Sequence, residues 1–291
     1  MLKILISMIN TQDISKFRES TGAGMMDCKK ALEEAEGDME KAAEILRKKG
    51  IIKAAKRTDK IAAEGLTQVK VAGDAAVIVE VNAETDFVAK SDDFKNLIST
   101  IVDDIASKKP ASVDEAMTGE LLEKFNEAAV KIGEKIKLRR FEIINKVAGE
   151  NFGAYIHMGG KMSVLVVLEG GSEDLAREVA MHVAASNPKY LNRESVDAGV
   201  LAKEIEIASE QLRAQNKPEN IIENIVKGKM DKFYSEVCLL EQPFIKDEEK
   251  MVGKMVEEAG GKIKSFYRFE LGEGIEKKKC DFAAEVAEQM A

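Results

Sequence analysis

The side chains best suited to chemistry in this sequence are two histidines, His157 and His182, and three cysteines, Cys28, Cys238 and Cys280. Their spacing builds no reactive centre. The cysteines lie far apart with no Cys-x-x-Cys pair, so neither a disulfide framework nor a zinc site is predicted. His182 sits between Met181 and Val183 on a predicted helix, where a packed or partly exposed role outweighs catalysis, and the many carboxylates read as solvated helix faces. The segment Thr21-Gly22-Ala23-Gly24-Met25-Met26 lacks the third glycine and the preceding strand of a dinucleotide fingerprint, and lacks the Gly-Lys-Ser/Thr ending of a phosphate loop. Without a nucleophile, a ligand cluster or a phosphate cradle, the residues predict no enzyme, no bound metal and no cofactor.

Binding is the chemistry that remains. Val77-Ile78-Val79-Glu80-Val81 is β-branched and reads as a strand, whereas Asn82 to Asp86 is turn chemistry, so Phe87 is predicted on a loop just beyond a sheet. Two readings of that ring are open. It folds back over its own core, as aromatics usually do, or it anchors another protein, since large aromatics on loops held by rigid strands are typical interface hot spots.

An internal repeat moves the weight to the second reading. Val77 to Val81 falls on Val164 to Leu168 at an offset of 87, whereas Phe94, Ile98 and Val102 of the following helix fall on Leu175, Val179 and Val183 at an offset of 81. The first copy therefore carries six extra residues, within Asn82 to Asp93 and around Thr85-Asp86-Phe87-Val88. The second copy makes the same passage with a short GGSED turn, so the motif is not needed to build the unit. His157 takes the strand position that Lys70 holds in the first copy, also at offset 87, and is predicted to face solvent or a partner.

The elements that must position these residues follow from periodicity and caps. Thr11 to Gly50 reads as three short helices. Ile14 and Phe17 turn inward from the first, Ala31, Leu32 and Ala35 line the second up to Gly37, and Asp38 caps a third that ends at Gly50. Met25 and Met26 either pack into this bundle or stand out as adaptable contacts. Lys53 to Glu64 reads as a linker, with or without some helix, into the repeated core. Each repeat then offers two strands around a glycine turn, one helix and a third strand, which makes two small α+β subdomains with antiparallel sheets. Gly133 to Lys137 matches Gly260 to Lys264 at offset 127, and Arg140 to Ile143 matches Arg268 to Leu271 at 128, which suits a one-residue bulge in the second copy. In the second copy an insertion, about 195–237, carries Leu201, Ile205, Ala208 and Leu212, then Val226, Met230, Phe233 and Val237, at coiled-coil spacing on either side of Asn216-Lys217-Pro218, and predicts a helical hairpin. Phe282, Val286 and Met290 share one face of a short C-terminal helix. The predicted domains are 1–55, 56–145, 146–275 and 276–291.

Composition narrows the partners. At 291 residues with 45% hydrophobic and 33% charged side chains the chain has room for two or three real cores, and a net charge of −8 argues against a broad phosphate-binding face, hence against direct nucleic-acid binding. No stretch approaches the roughly 20 apolar residues of a membrane-spanning helix, so no membrane is expected. Met1 to Ile6 is too short for a secretory signal and no Arg-rich leader is present, which predicts a cytoplasmic protein.

Five segments, in order across nearly the whole chain, carry a resemblance: TGAGMMDCKKAL (Thr21 to Leu32), NAETDFVAK (Asn82 to Lys90), AMHVAASNPKYL (Ala180 to Leu191), EQPFIKD (Glu241 to Asp247) and RFELGEGIEK (Arg268 to Lys277). The sequence resembles the elongation factor Ts family, nucleotide exchange factors for the translational GTPase elongation factor Tu. The resemblance implies a ubiquitin-associated-like N-terminal bundle and an exchange factor without catalytic chemistry of its own, which displaces magnesium from elongation factor Tu and promotes GDP release. It implies that Thr85, Asp86, Phe87 and Val88 carry that step and that the N-terminal bundle contacts the partner, with Met25, Met26 and Lys29 as the candidates; His157, from its place in the repeat, is the candidate contact in the second subdomain. The resemblance also implies a homodimer through the hairpin in some members. The rival reading is a ubiquitin-like-domain adaptor or chaperone without exchange activity.

Overall fold

The structure, a computed structural model, describes residues 11–21, 25–56 and 62–275. Gly22 to Gly24, the opening segment, Cys280 and the predicted C-terminal helix lie outside the described residues. The fold is α+β. The chain divides into two compact units, one formed by the described residues of Met1–Leu66, Val79–Phe141 and Leu271–Ala291, the other by Thr67–Ile78 and Glu142–Glu270.

In the first unit, α1 (Thr11–Thr21), α2 (Met25–Glu34) and α3 (Met39–Lys56) share a core of Ile14, Phe17, Cys28, Ala31, Leu32, Ala35, Ala42 and Leu46. The turn after α2 closes because Gly37 adopts φ 89° and its N–H reaches the Leu32 carbonyl at 2.9 Å. Asp38 Oδ1 then accepts from the amides of Glu40 and Lys41 at 3.0 and 3.1 Å, capping α3. Contrary to expectation, α3 runs through Gly50 to Lys56. A single mid-helix glycine costs only about 1 kcal/mol, too little to stop a helix among Lys, Ile and Ala.

The first sheet has the order β1 (Glu64–Ala72), β2 (Ala75–Ala83), β3 (Lys137–Asn145), with β1 and β2 joined at Gly73-Asp74. The central strand β2 is buried along its whole length, which explains why it is apolar on both faces except at Glu80 and Asn82. Between β2 and β3 the sequence predicts one helix; the structure has four, α4 (Asp86–Lys90), α5 (Asp92–Lys108), α6 (Val113–Ala116) and α7 (Gly119–Ile132). The predicted helix is α5, whose Phe94, Leu97, Ile98, Ile101, Val102 and Ile105 are buried at helical spacing. Helices α4 and α6, of five and four residues, are too short for a helical period to register, whereas α7 carries an apolar stripe of its own, with Leu121 and Phe125 buried, that a reading of one helix per repeat leaves out.

The second sheet repeats the order with β4 (Glu150–His157), β5 (Met162–Gly170) and β8 (Gly261–Glu270). The predicted bulge is there: Val167 pairs with Ser265 and Leu168 with Ile263, leaving Lys264 as the extra residue. Helix α8 (Glu173–Ser186) lays Ala176, Val179, Ala180 and Val183 on Val164, Val166 and Leu168. It comes so close to β4 that a Cβ on Gly153 would lie 2.1 Å from the Ala176 backbone. The insertion is a hairpin of α9 (Ala198–Ala214) and α10 (Glu219–Val237). Its arms close near the turn through Ala208, Leu212, Ile222 and Val226; toward the base Leu201, Ile205, Met230 and Tyr234 line an open groove. A two-stranded ribbon, β6 (Pro243–Phe244) and β7 (Asp247–Met251), and helix α11 (Val252–Glu258) complete this unit and were not foreseen. Among the described residues no helix is long and apolar enough to cross a membrane.

Candidate partner-binding site

Eight residues separate the end of β2 at Ala83 from the start of α5 at Asp92, against two between Gly170 of β5 and Glu173 of α8. The six extra residues build α4. Phe87 therefore stands on a one-turn helix and not on a loop, a correction whose cause is local capping. The Thr85 hydroxyl accepts from the Val88 amide at 3.4 Å and starts α4. Ser91 ends it by donating to the Val88 carbonyl at 2.7 Å, and the same hydroxyl accepts from the Phe94 amide at 3.3 Å to start α5.

One turn of helix is marginal alone, and it is tethered from outside. Thr85 donates its amide to Glu134 Oε2 at 3.0 Å and its hydroxyl to Glu134 Oε1 at 2.6 Å. Glu84 Oε1 in return accepts the Lys135 amide at 2.7 Å. Ala89 is buried and Val88 half-buried, so α4 has one seated face. The opposite face carries Phe87, which is 80% exposed. Asp86 and Lys90 form a pair at 2.7 Å, with the Lys90 ammonium 6.0 Å from the centre of the Phe87 ring. The ring is thus held out from its own core by ordered backbone, an arrangement suited to entering another protein's surface.

Upstream on β2 lies a group that periodicity did not reveal. Glu80 is fully buried and accepts from Arg139 Nη1 at 2.8 Å, Arg140 Nε at 2.6 Å, the Gly272 amide at 2.8 Å and Asn82 Nδ2 at 3.2 Å. Burial pushes its carboxyl up, but the Arg139 bond, the Gly272 amide and Arg140 together outweigh this and hold it below its usual range. Arg140 also reaches the Glu273 carboxylate at 3.2 Å, and Arg139 the Glu273 carbonyl. The network ties the strand leading to α4 to the Leu271 to Gly274 turn. Its one sequence signal is a glutamate in the middle of an otherwise apolar buried strand.

Met25 and Met26 are 52% and 62% exposed on the first turn of α2, which settles their orientation in favour of the surface. Lys29, one turn on from Met25, is half exposed and pairs with Glu33 at 3.8 Å. His157 belongs to the other unit, at the end of β4; it is exposed, with Nδ1 3.0 Å from the Tyr155 hydroxyl. The structure thus gathers Thr85 to Val88 on one element and leaves the other two groups on elements of their own.

Of the other residues suited to chemistry, His182 and Cys238 are buried. His182 is buried, its Nδ1 accepting the Ile245 amide at 3.3 Å, so that Nε2 carries the proton and donates to Gln242 Oε1 at 3.0 Å. Burial, partly offset by the Gln242 bond, holds its pKa below the usual value. Burial likewise pushes the Cys238 thiol up to about 11, leaving it protonated at neutral pH. Among the described residues no group of three or more His, Cys, Asp or Glu is placed to hold a metal ion.

Fold and site together describe a repeated α+β protein with an exposed aromatic on an ordered turn. The sequence profile of the family described as Elongation factor TS matches residues 84–273. The chain belongs to the elongation factor Ts family. It is 50% identical over 290 residues to the elongation factor Ts of Pediococcus pentosaceus (strain ATCC 25745 / CCUG 21536 / LMG 10740 / 183-1w), across 98% of this chain and 99% of that protein.

Proposed function

We propose that this protein is a guanine-nucleotide exchange factor that acts on elongation factor Tu in the cytoplasm. The observation that carries the proposal is the position of Phe87, 80% exposed on a capped and tethered turn that the second copy of the repeat lacks, in a member of this family. The partner supplies the nucleotide site and its magnesium. This chain supplies differential binding: it prefers a distorted, nucleotide-free partner, and whatever factor it takes from the partner's GDP affinity, bound GDP takes from its own. Phe87 enters the partner beside the elements that hold magnesium and phosphates, and Asp86, beside Thr85 and Val88, helps to displace that shell. Order changes in such GTPase elements are an established switching route. Met25, Met26 and Lys29, and separately His157, add grip. Affinity is shared among these patches and the trigger is local. The exposed Val200, Ile205, Ile207 and Ile221 of the hairpin support self-association as a separate property.

Release of labelled GDP from purified elongation factor Tu tests the proposal. Catalytic amounts of the full chain should accelerate release many-fold. An unchanged rate would favour the adaptor or chaperone reading.

A further inference from the structure

The two halves of the repeat also differ at the turn into the third strand. Helix α7 is followed directly by Gly133, at φ 77°, and helix α11 by Ala259 and then Gly260, at φ 73°, and from each glycine the chain turns into the third strand of its sheet. The next residue is Glu134 in the first copy and Gly261 in the second. Gly261 is buried, and a Cβ there would lie 3.2 to 3.3 Å from Leu168, Val256 and Leu175, so it fills a structural slot. A carboxylate at this position is therefore not a requirement of the turn. Glu134 instead spends both its oxygens on Thr85, one on the amide and one on the hydroxyl, at 3.0 and 2.6 Å. With its proton directed to Glu134, the Thr85 hydroxyl offers a lone pair to the Val88 amide and caps the turn that bears Asp86 and Phe87.

We propose that Glu134 is a positioning residue for exchange, fixing the rotamer of Thr85 and through it the direction in which α4 presents Phe87. The inference rests on the wedge reading of Phe87 given above. Without Glu134 the cap hydroxyl is free to rotate and a one-turn helix loses its outside tether, so Phe87 meets the partner from a spread of orientations. A carboxylate suits the place because both Thr85 groups are donors. Glutamine offers one acceptor oxygen and keeps one of the two bonds.

The test measures GDP release from elongation factor Tu for the full-length parent, Glu134→Ala, Glu134→Gln, Thr85→Val, Phe87→Ala and the double variant Glu134→Ala/Phe87→Ala, each with its melting temperature. Glu134→Ala and Thr85→Val should slow release by about tenfold, the order expected when charge-assisted bonds that order an element are lost, and Glu134→Gln should fall between Glu134→Ala and the parent. In the double variant the Glu134 change should have no further effect, because a residue that acts through the wedge is silent once the wedge is gone. A purely structural role would give additive losses instead, and that result overturns the proposal. So does a Glu134→Ala protein that melts normally and releases GDP at the parental rate while Phe87→Ala is slow. If Phe87→Ala itself matches the parent, the wedge reading fails first and the proposal falls with it. Should Glu134→Ala not fold, Thr85→Val decides in its place: parental release by that variant overturns the proposal.

Discussion

Nε2 of His182 lies 3.0 Å from Oε1 of Gln242, and both side chains are buried. Gln242 in turn donates to the Glu236 carbonyl at 2.7 Å, at the end of α10. The imidazole thus braces α8 against the segment that leaves the helical hairpin, and it does so in its neutral form. Because its folded pKa lies below the unfolded value of 6.5, the unfolded chain binds the proton more readily below that pH. Stability is therefore fully present above 6.5 and declines as pH falls through the window between the unfolded and folded values. A His182→Gln protein, less stable at about pH 8, should show a flatter dependence of melting temperature between about pH 7.5 and 5.5. Parallel curves for the two proteins would contradict this.

Glu80 has the same sign at lower pH. Its carboxyl is held below the unfolded value of 4.5, so its contribution is present above that pH and is lost as pH falls through the folded value. Glu80→Ala leaves two arginines facing a buried gap and should cost about 3 kcal/mol or more, read as a lower denaturant midpoint. An unchanged midpoint would remove the network from the account of stability.

Much of this architecture was legible because it is written in local periodicity. The ends of the hairpin insertion, the glycine turn between β1 and β2, and the bulge at Lys264 followed from turn residues and from one change of repeat offset. What escaped was short or distant. Helix α4 has five residues, too few for a 3.6-residue period to register, and only its caps Thr85 and Ser91 marked it. The bond between Glu80 and the Gly272 amide joins groups 192 residues apart, and no window on the sequence spans that distance. Thr85 itself was visible as part of a motif, but its partner Glu134 was not. Met25 and Met26 were ambiguous in principle, since a bundle of three short helices has inward and outward positions only one residue apart.

Those two methionines offer a test of affinity separate from triggering. Burial of one Met side chain is worth about 1.5 to 3 kcal/mol, so Met25→Ser/Met26→Ser should weaken the complex with elongation factor Tu by about tenfold or more. Surface changes of this kind should leave the melting temperature nearly unmoved. Release at saturating concentration should stay near the parental rate. Parental affinity in a titration would remove α2 from the interface.

The hairpin gives a third kind of outcome. Its seam residues Ala208, Leu212, Ile222 and Val226 form a cluster of their own. Replacing residues 198–236 with a short linker should therefore leave a protein that unfolds cooperatively, as monitored by circular dichroism, and any self-association seen by sedimentation should fall. Loss of the cooperative transition would make the hairpin part of the core.

The central claim stands on one ring. Truncating an interface hot-spot aromatic costs about 2 to 4 kcal/mol, and at about 1.4 kcal/mol per tenfold the rate of GDP release at sub-saturating Phe87→Ala should drop by roughly 30-fold or more. Because the ring is exposed in the free protein, the melting temperature should hardly move; a core phenylalanine would instead cost about 3 to 5 kcal/mol of stability. The decisive measurement is therefore GDP release from elongation factor Tu by Phe87→Ala, with a melting curve from the same preparation. Slow release from a normally folded protein is the predicted result, and parental release, or a melting temperature far below that of the parent, would contradict the account.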